Sequence, residues 1–122
     1  MLFRSGCFCT DYSDASGTLL LNVKNRCWSK EMMKICDVRE EQLPALFESY
    51  EVVGGIKTEL AEEFGFTINV KIVAGADDNA AAAVGTGTVG EGGCNISLGT
   101  SGTIFISSKD RKSTRLNSSH RL

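Results

Sequence analysis

Two adjacent carboxylates, Asp77 and Asp78, separate a β-branched run, Val70-Lys-Ile-Val-Ala74, from the alanine-rich stretch Asn79-Ala-Ala-Ala-Ala-Val-Gly85. A carboxylate between a strand and a helix lies at the strand's carboxyl end, where open α/β sheets gather their ligands. From there it can take a proton from a substrate hydroxyl, the general-base task in phosphoryl transfer to an alcohol. Either aspartate could instead cap the helix that follows, although capping accounts for only one of them.

The second stretch with chemical content is Gly99-Thr-Ser-Gly102, flanked by Cys94-Asn-Ile-Ser-Leu98 and Thr103-Ile-Phe-Ile-Ser107. Two β-branched runs around small turn residues predict a β-hairpin. Its glycines permit positive φ, and its amides and hydroxyls could point at phosphate oxygens. No Gly-Lys-Ser/Thr follows and no Gly-x-Gly-x-x-Gly opens a helix, so an ordinary turn and a phosphate contact both remain. Gly85 to Gly93 is dense in glycine and reads as a connection between domains, with no catalytic residue.

Other elements must hold these two stretches in place. Residues Met1 to Gly6 read as a last helical turn with Gly6 as its left-handed cap. Thr10-Asp-Tyr-Ser-Asp-Ala-Ser-Gly-Thr18 reads as a polar turn, either on the surface or against a substrate cleft. Ser29 is expected to cap a helix whose Met32, Met33, Ile35 and Cys36 form one apolar, core-facing side. Asp37 to Phe47 carries a helical signal broken into two short pieces at Pro44. Val52 to Ile56 is a short strand or extended connection, and Thr58 is expected to cap a helix ending at Gly65. Asn69 to Gly75 reads as a strand buried on both faces. A helix leading into such a strand indicates an α/β architecture.

With 122 residues and a net charge of −2, the chain suits one modest core and has no overall electrostatic reason to bind nucleic acid or anionic lipid. No apolar run reaches the roughly 18 residues of a membrane span, and the amino terminus lacks a signal-peptide core. The five cysteines are irregularly spaced, and the one histidine, His120, lies in the tail, which argues against a zinc site or disulfide framework. They read as buried free thiols of a cytoplasmic protein.

Taken together, Ser13-Asp-Ala-Ser-Gly-Thr18, Gln42-Leu-Pro-Ala-Leu46, Asp78-Asn-Ala-Ala81 after a strand, and Ser97-Leu-Gly-Thr-Ser-Gly102 resemble the FGGY carbohydrate kinases, among them most closely the xylulokinases. The likeness runs in register from about residue 5 to residue 108. It implies an actin-like, ribonuclease-H-like fold of two α/β domains and transfer of phosphate from ATP, with Mg2+, to a sugar hydroxyl. D-xylulose going to D-xylulose 5-phosphate is the first expectation. Glycerol, gluconate or ribulose kinases of the same family remain open, as does a non-catalytic nucleotide- or partner-binding module. Carried over by position, Asp78 matches the general base, Asn79 lies beside it at the sugar, and Gly99, Thr100, Ser101 and Gly102 match a turn that approaches the ATP phosphates. No residue of this chain matches a metal ligand.

The sequence departs from the family pattern at Asp77, where glycine is usual; a neighbouring carboxylate there is expected either to act on the charge of Asp78 or to strain a backbone that prefers glycine. The family's amino-terminal phosphate loop, its metal-associated aspartate and its adenosine pocket have no counterpart here. The chain therefore reads as an internal fragment: residues 1–87 the end of the first domain, 88–109 the connection and first hairpin of the second. Such a fragment alone is expected to be inactive, while the full-length protein has sugar and ATP as partners, with a homodimer open. Residues 110–122 resemble the translation of a sequencing-adapter oligonucleotide and read as a disordered, artefactual tail.

Overall fold

The structure, a computed structural model, describes residues 2–99 and 102–109. The chain divides into two compact units, the first ending at Asp77 and the second beginning at Asp78. The tail 110–122 lies outside the described residues.

The first unit opens with α1 (Leu2–Ser5), which ends at Gly6 with φ 77° as expected. There follow β1 (Cys9–Asp11), α2 (Tyr12–Gly17), β2 (Leu21–Asn22), β3 (Cys27–Trp28) and α3 (Lys30–Ile35). After a 3-10 turn over Glu40–Gln42 come β4 (Ala45–Phe47), β5 (Val52–Gly55), α4 (Thr58–Phe64) and β6 (Lys71–Val73). β1 and β4 pair in parallel with Cys9 opposite Ala45 and Asp11 opposite Phe47. β2 and β3 form an antiparallel pair, as do β5 and β6.

Several sequence expectations change here, each for a local reason. The polar run after Cys9 is not a surface turn: Asp11 closes β1 and Ala15 is fully buried, because α2 packs beside the β1–β4 pair. Ser29 does cap α3, accepting from the Met32 amide at 3.3 Å. Of the apolar side assigned to that helix only Met33 is buried and Met32 half-buried; Ile35 and Cys36 are exposed, because the helix stops after six residues. Pro44 does split the next segment, but its second piece is a strand. Leu43, held extended before the proline (φ −99°, ψ 143°), launches β4 instead of a helix. The indole of Trp28 donates from Nε1 to the Pro44 carbonyl at 3.0 Å and ties β3 to that entry.

At α4 the cap position is Lys57, not Thr58. The Lys57 amide donates to the Arg4 carbonyl at 3.0 Å, which keeps Lys57 extended and makes Thr58 the first helical residue. Gly65 ends that helix at φ 70°, a left-handed conformation that glycine takes without a Cβ penalty. β6 is not buried on both faces. Among the described residues it pairs with β5 alone, and Ile72 is half-buried while Lys71 and Val73 are exposed. The cysteines differ as well: Cys7 and Cys9 are half-buried, whereas Cys27, Cys36 and Cys94 are exposed, and all are free thiols.

The second unit starts with α5 (Asp78–Gly85) and continues into the antiparallel pair β7 (Cys94–Leu98) and β8 (Gly102–Ile106). The expected hairpin is present, with Ile96 opposite Ile104 and Leu98 opposite Gly102. Asn95 donates from Nδ2 to the Thr86 hydroxyl at 2.9 Å, and Thr86 in turn lies 3.0 Å from the hydroxyl of buried Thr88. This chain of polar groups fixes the hairpin to the carboxyl end of α5.

Candidate functional site

Asp11 is the last residue of β1, and only 3% of it is exposed. It sits at the carboxyl end of a parallel strand pair, the position where such sheets place their working groups. Its Oδ2 accepts from the Ser13 amide at 2.7 Å, which caps α2, and from the Ser13 hydroxyl. The same oxygen accepts from the Ser49 hydroxyl at 3.2 Å, two residues beyond the end of β4. A buried carboxylate is retained when hydrogen bonds replace its lost water, and here three donors do so.

The network reaches one step further. The Asp77 amide donates to the Ser13 hydroxyl at 2.9 Å. Because Ser13 gives its own proton to Asp11, its oxygen is left free to accept, so the direction of each bond is set by the carboxylate. Upstream of Asp77 the backbone is pinned twice more: the Ala74 amide donates to the Glu51 carbonyl and the Gly75 amide to the Ser49 carbonyl, both at 3.0 Å. Residues 74–77 are therefore a fixed exit from β6 and not a loose linker.

Asp78 follows directly as the first residue of α5, so the helix begins one residue earlier than the sequence indicates. Asp78 is exposed and Asn79 half-buried, so the proposed base is open to solvent. The strain expected at Asp77 is absent: the non-glycine residues with positive φ are Leu19, Arg26 and Asp37. Gly99 and Gly102 are exposed at the end of the β7–β8 hairpin, and a Cβ at Gly102 would meet only the Leu98 side chain, at 3.8 Å. Thr100 and Ser101 lie outside the described residues. Among the described residues no hydrogen bond joins Asp78 or Asn79 to Gly99 or Gly102. No three acidic, histidine or cysteine side chains among them converge to hold a metal ion. The described residues thus do not fit a complete site for magnesium or for ATP.

Sequence reasoning singled out Asp78, Asn79 and the hairpin; it took Ser13 only as part of a polar turn and did not single out Asp11 or Ser49. Asp11-Tyr-Ser-Asp14 does carry helix-cap spacing, which was the available signal. No helix among the described residues is long and apolar enough to cross a membrane.

Comparison with known proteins gives this geometry a context. Residues 2–85 match the amino-terminal domain of the FGGY family of carbohydrate kinases. The xylulose kinase of Escherichia coli is 45% identical over 108 residues, which is 88% of this chain and 22% of that protein. A ligand-bound xylulose kinase from Lactobacillus acidophilus superposes with a TM-score of 0.79 at 33% identity, over 84% of this chain and 21% of that one. A gluconate kinase from the same organism gives the same TM-score of 0.79 and the same 33% identity, again over 84% and 21% of the two chains. The chain spans about a fifth of the length of the curated relatives it matches. Its mixed helices and strands are those of the actin-like sugar-kinase fold. By its match over residues 2–85, the chain belongs to the FGGY family of carbohydrate kinases.

Proposed function

We infer that the full-length protein is a cytoplasmic kinase that transfers phosphate from ATP to a sugar hydroxyl, most closely of the D-xylulose type. The observation that carries this reading is the 45% identity with the Escherichia coli xylulose kinase over 108 residues, 88% of this chain. In this reading residues 1–87 close the first domain and residues 88–109 open the second.

Asp78 is the general base. Its carboxylate accepts the hydroxyl proton as the sugar oxygen bonds to the transferred phosphorus and the bridging oxygen leaves with ADP. Bound ATP with a divalent metal would supply the phosphoryl group and offset its charge. Asn79, one residue along α5, contacts the sugar and orients the hydroxyl. Gly99, Thr100, Ser101 and Gly102 approach the phosphates, with exposed backbone at Gly99 and Gly102 leaving room for an anion. Exposure of Asp78 and the fixed exit from β6 support the assignment.

The test is Asp78→Ala in a full-length kinase carrying this segment, followed by coupled ADP release with D-xylulose. A base of this kind contributes about 10²–10⁴-fold in rate. Turnover is expected to fall by that amount while ATP binding is kept; unchanged turnover would remove Asp78 from the role. The likeness to a gluconate kinase at equal TM-score favours one second reading, a sugar-acid or polyol acceptor. A panel of xylulose, gluconate, ribulose and glycerol decides between the two.

A further inference from the structure

We propose that Ser13 is a positioning residue for the phosphoryl-transfer step, held by the buried carboxylate of Asp11 and acting through the Asp77 amide on the residue that follows. The inference rests on the reading of Asp78 as the base, and it names the part of the molecule that aims it.

The geometry of the first unit carries the argument. A base that removes a hydroxyl proton must stay within hydrogen-bond reach of it, about 2.6–3.2 Å. Asp78 is exposed and makes no hydrogen bond through its own side chain among the described residues, so its placement depends on its backbone. The last fixed point before it is the Asp77 amide, 2.9 Å from the Ser13 hydroxyl. That hydroxyl could rotate, but Asp11 accepts its proton and Asp11 is itself immobilised by the Ser13 amide and Ser49. The result is a relay of orientation: a buried charge fixes a hydroxyl, the hydroxyl fixes an amide, and the amide belongs to the peptide that leads into α5. The four residues of the network, Asp11, Ser13, Ser49 and Asp77, come from three segments far apart in sequence. A helix cap alone would require only the Ser13 amide contact; the outward bond to Asp77 has no part in capping α2.

The experiment uses a full-length kinase carrying this segment. Ser13→Ala removes the acceptor of the Asp77 amide and leaves the Asp11 cap of α2 in place. Misplacing a reacting group by about 1 Å can cost on the order of 10²-fold. Ser13→Ala is therefore expected to lower kcat by about ten- to a hundred-fold with KM for ATP unchanged. Ser13→Thr, which keeps the hydroxyl, should recover most of the rate. On an Asp78→Ala background Ser13→Ala should cost nothing further, since there is no base left to aim. Ser29→Ala is the control: it removes the α3 cap and lowers Tm without lowering kcat. Should Ser13→Ala fail to fold, Ser13→Cys keeps the volume, weakens the acceptor and is read in its place.

A kcat within twofold of wild type for Ser13→Ala or Ser13→Cys would overturn the proposal, as would losses that multiply in the double variant. Retained turnover in Asp78→Ala alone would instead overturn the assignment of the base, so the two failures are distinguishable.

Discussion

Replacing Asp11 by alanine tests the buried network as a source of stability, independently of any reaction. The substitution removes one acceptor from three donors: the Ser13 amide, the Ser13 hydroxyl and the Ser49 hydroxyl. Loss of the helix cap costs about 1 kcal/mol. The two hydroxyls belong to half-buried serines and regain some contact with water, so together they add only about 1 kcal/mol. The sum is a destabilisation of about 2 kcal/mol. The chain's single tryptophan, Trp28, lies in the first unit and reports its unfolding by fluorescence. With a urea m-value of about 1–2 kcal/mol/M, the midpoint should fall by about 1–2 M. Asp11→Asn keeps one accepting oxygen and should fall between wild type and alanine. A midpoint for Asp11→Ala within about 0.3 M of wild type would mean that the bonds drawn to Asp11 contribute nothing, and the reasoning would fail with them.

Gly65 lies at φ 70° with no atom within 4 Å of where a Cβ would stand, so Gly65→Ala should cost only the backbone term, about 1 kcal/mol by urea unfolding, and Gly65→Asn less. Burial holds the Cys9 thiol above its ordinary value, with the neighbouring Cys7 adding to the effect. A raised value in the fold means that stability from this group is complete below about pH 8.5 and declines as pH rises through the folded value, because the unfolded chain ionises first. Cys9→Ala should therefore flatten the alkaline decline in the urea midpoint. The 122-residue chain alone should show no ADP release with D-xylulose, and clear turnover would refute the need for further residues.

The elements legible in the sequence are those whose signals are local. Ser29 as a cap, Gly6 and Gly65 as left-handed ends, and the hairpin around Gly99–Gly102 all follow from residue type over a few positions. Asp78 at the entry to a helix that follows a strand was legible for the same reason. The errors concern partners distant in the chain. Asp11 carries cap spacing, but only the pairing of β1 with β4, with Asp11 opposite Phe47, buries it and brings Ser49 within reach. Lys57 displaces Thr58 as the α4 cap because of a bond to Arg4, which no propensity encodes. Pro44 was read correctly as a break, yet whether a helix or a strand follows depends on β1 being available as a partner. The methionine pattern of α3 predicted more burial than a six-residue helix provides.

The buried apolar residues among those described are Ala15, Met33, Ala61, Ala74 and Ala83, nearly all small, while Ile96, Leu98, Ile104 and Ile106 are 57–84% exposed. In the hairpin this exposure is one-sided. Register places Cys94 with Ile106 and Ile96 with Ile104 on one face, and Asn95 with Phe105 and Ser97 with Thr103 on the other. The second face carries the Asn95 bond to Thr86; the first is an apolar surface on a two-stranded sheet, an arrangement that is marginal in water without cover. Relatives about four times as long supply many more residues that could cover it. Burying an isoleucine side chain is worth about 1.5–3 kcal/mol. The double variant Ile96→Thr, Ile104→Thr should then act with opposite signs in two contexts. In the isolated chain it should raise solubility, because it removes the apolar pair that favours edge-to-edge association. In a full-length kinase it should lower the stability of the domain that contains the hairpin by up to about 3–6 kcal/mol, measured by urea unfolding. Equal stability of the full-length variant and wild type would show that this face stays in water there too, and that the alternation in β7 and β8 serves some purpose other than a core.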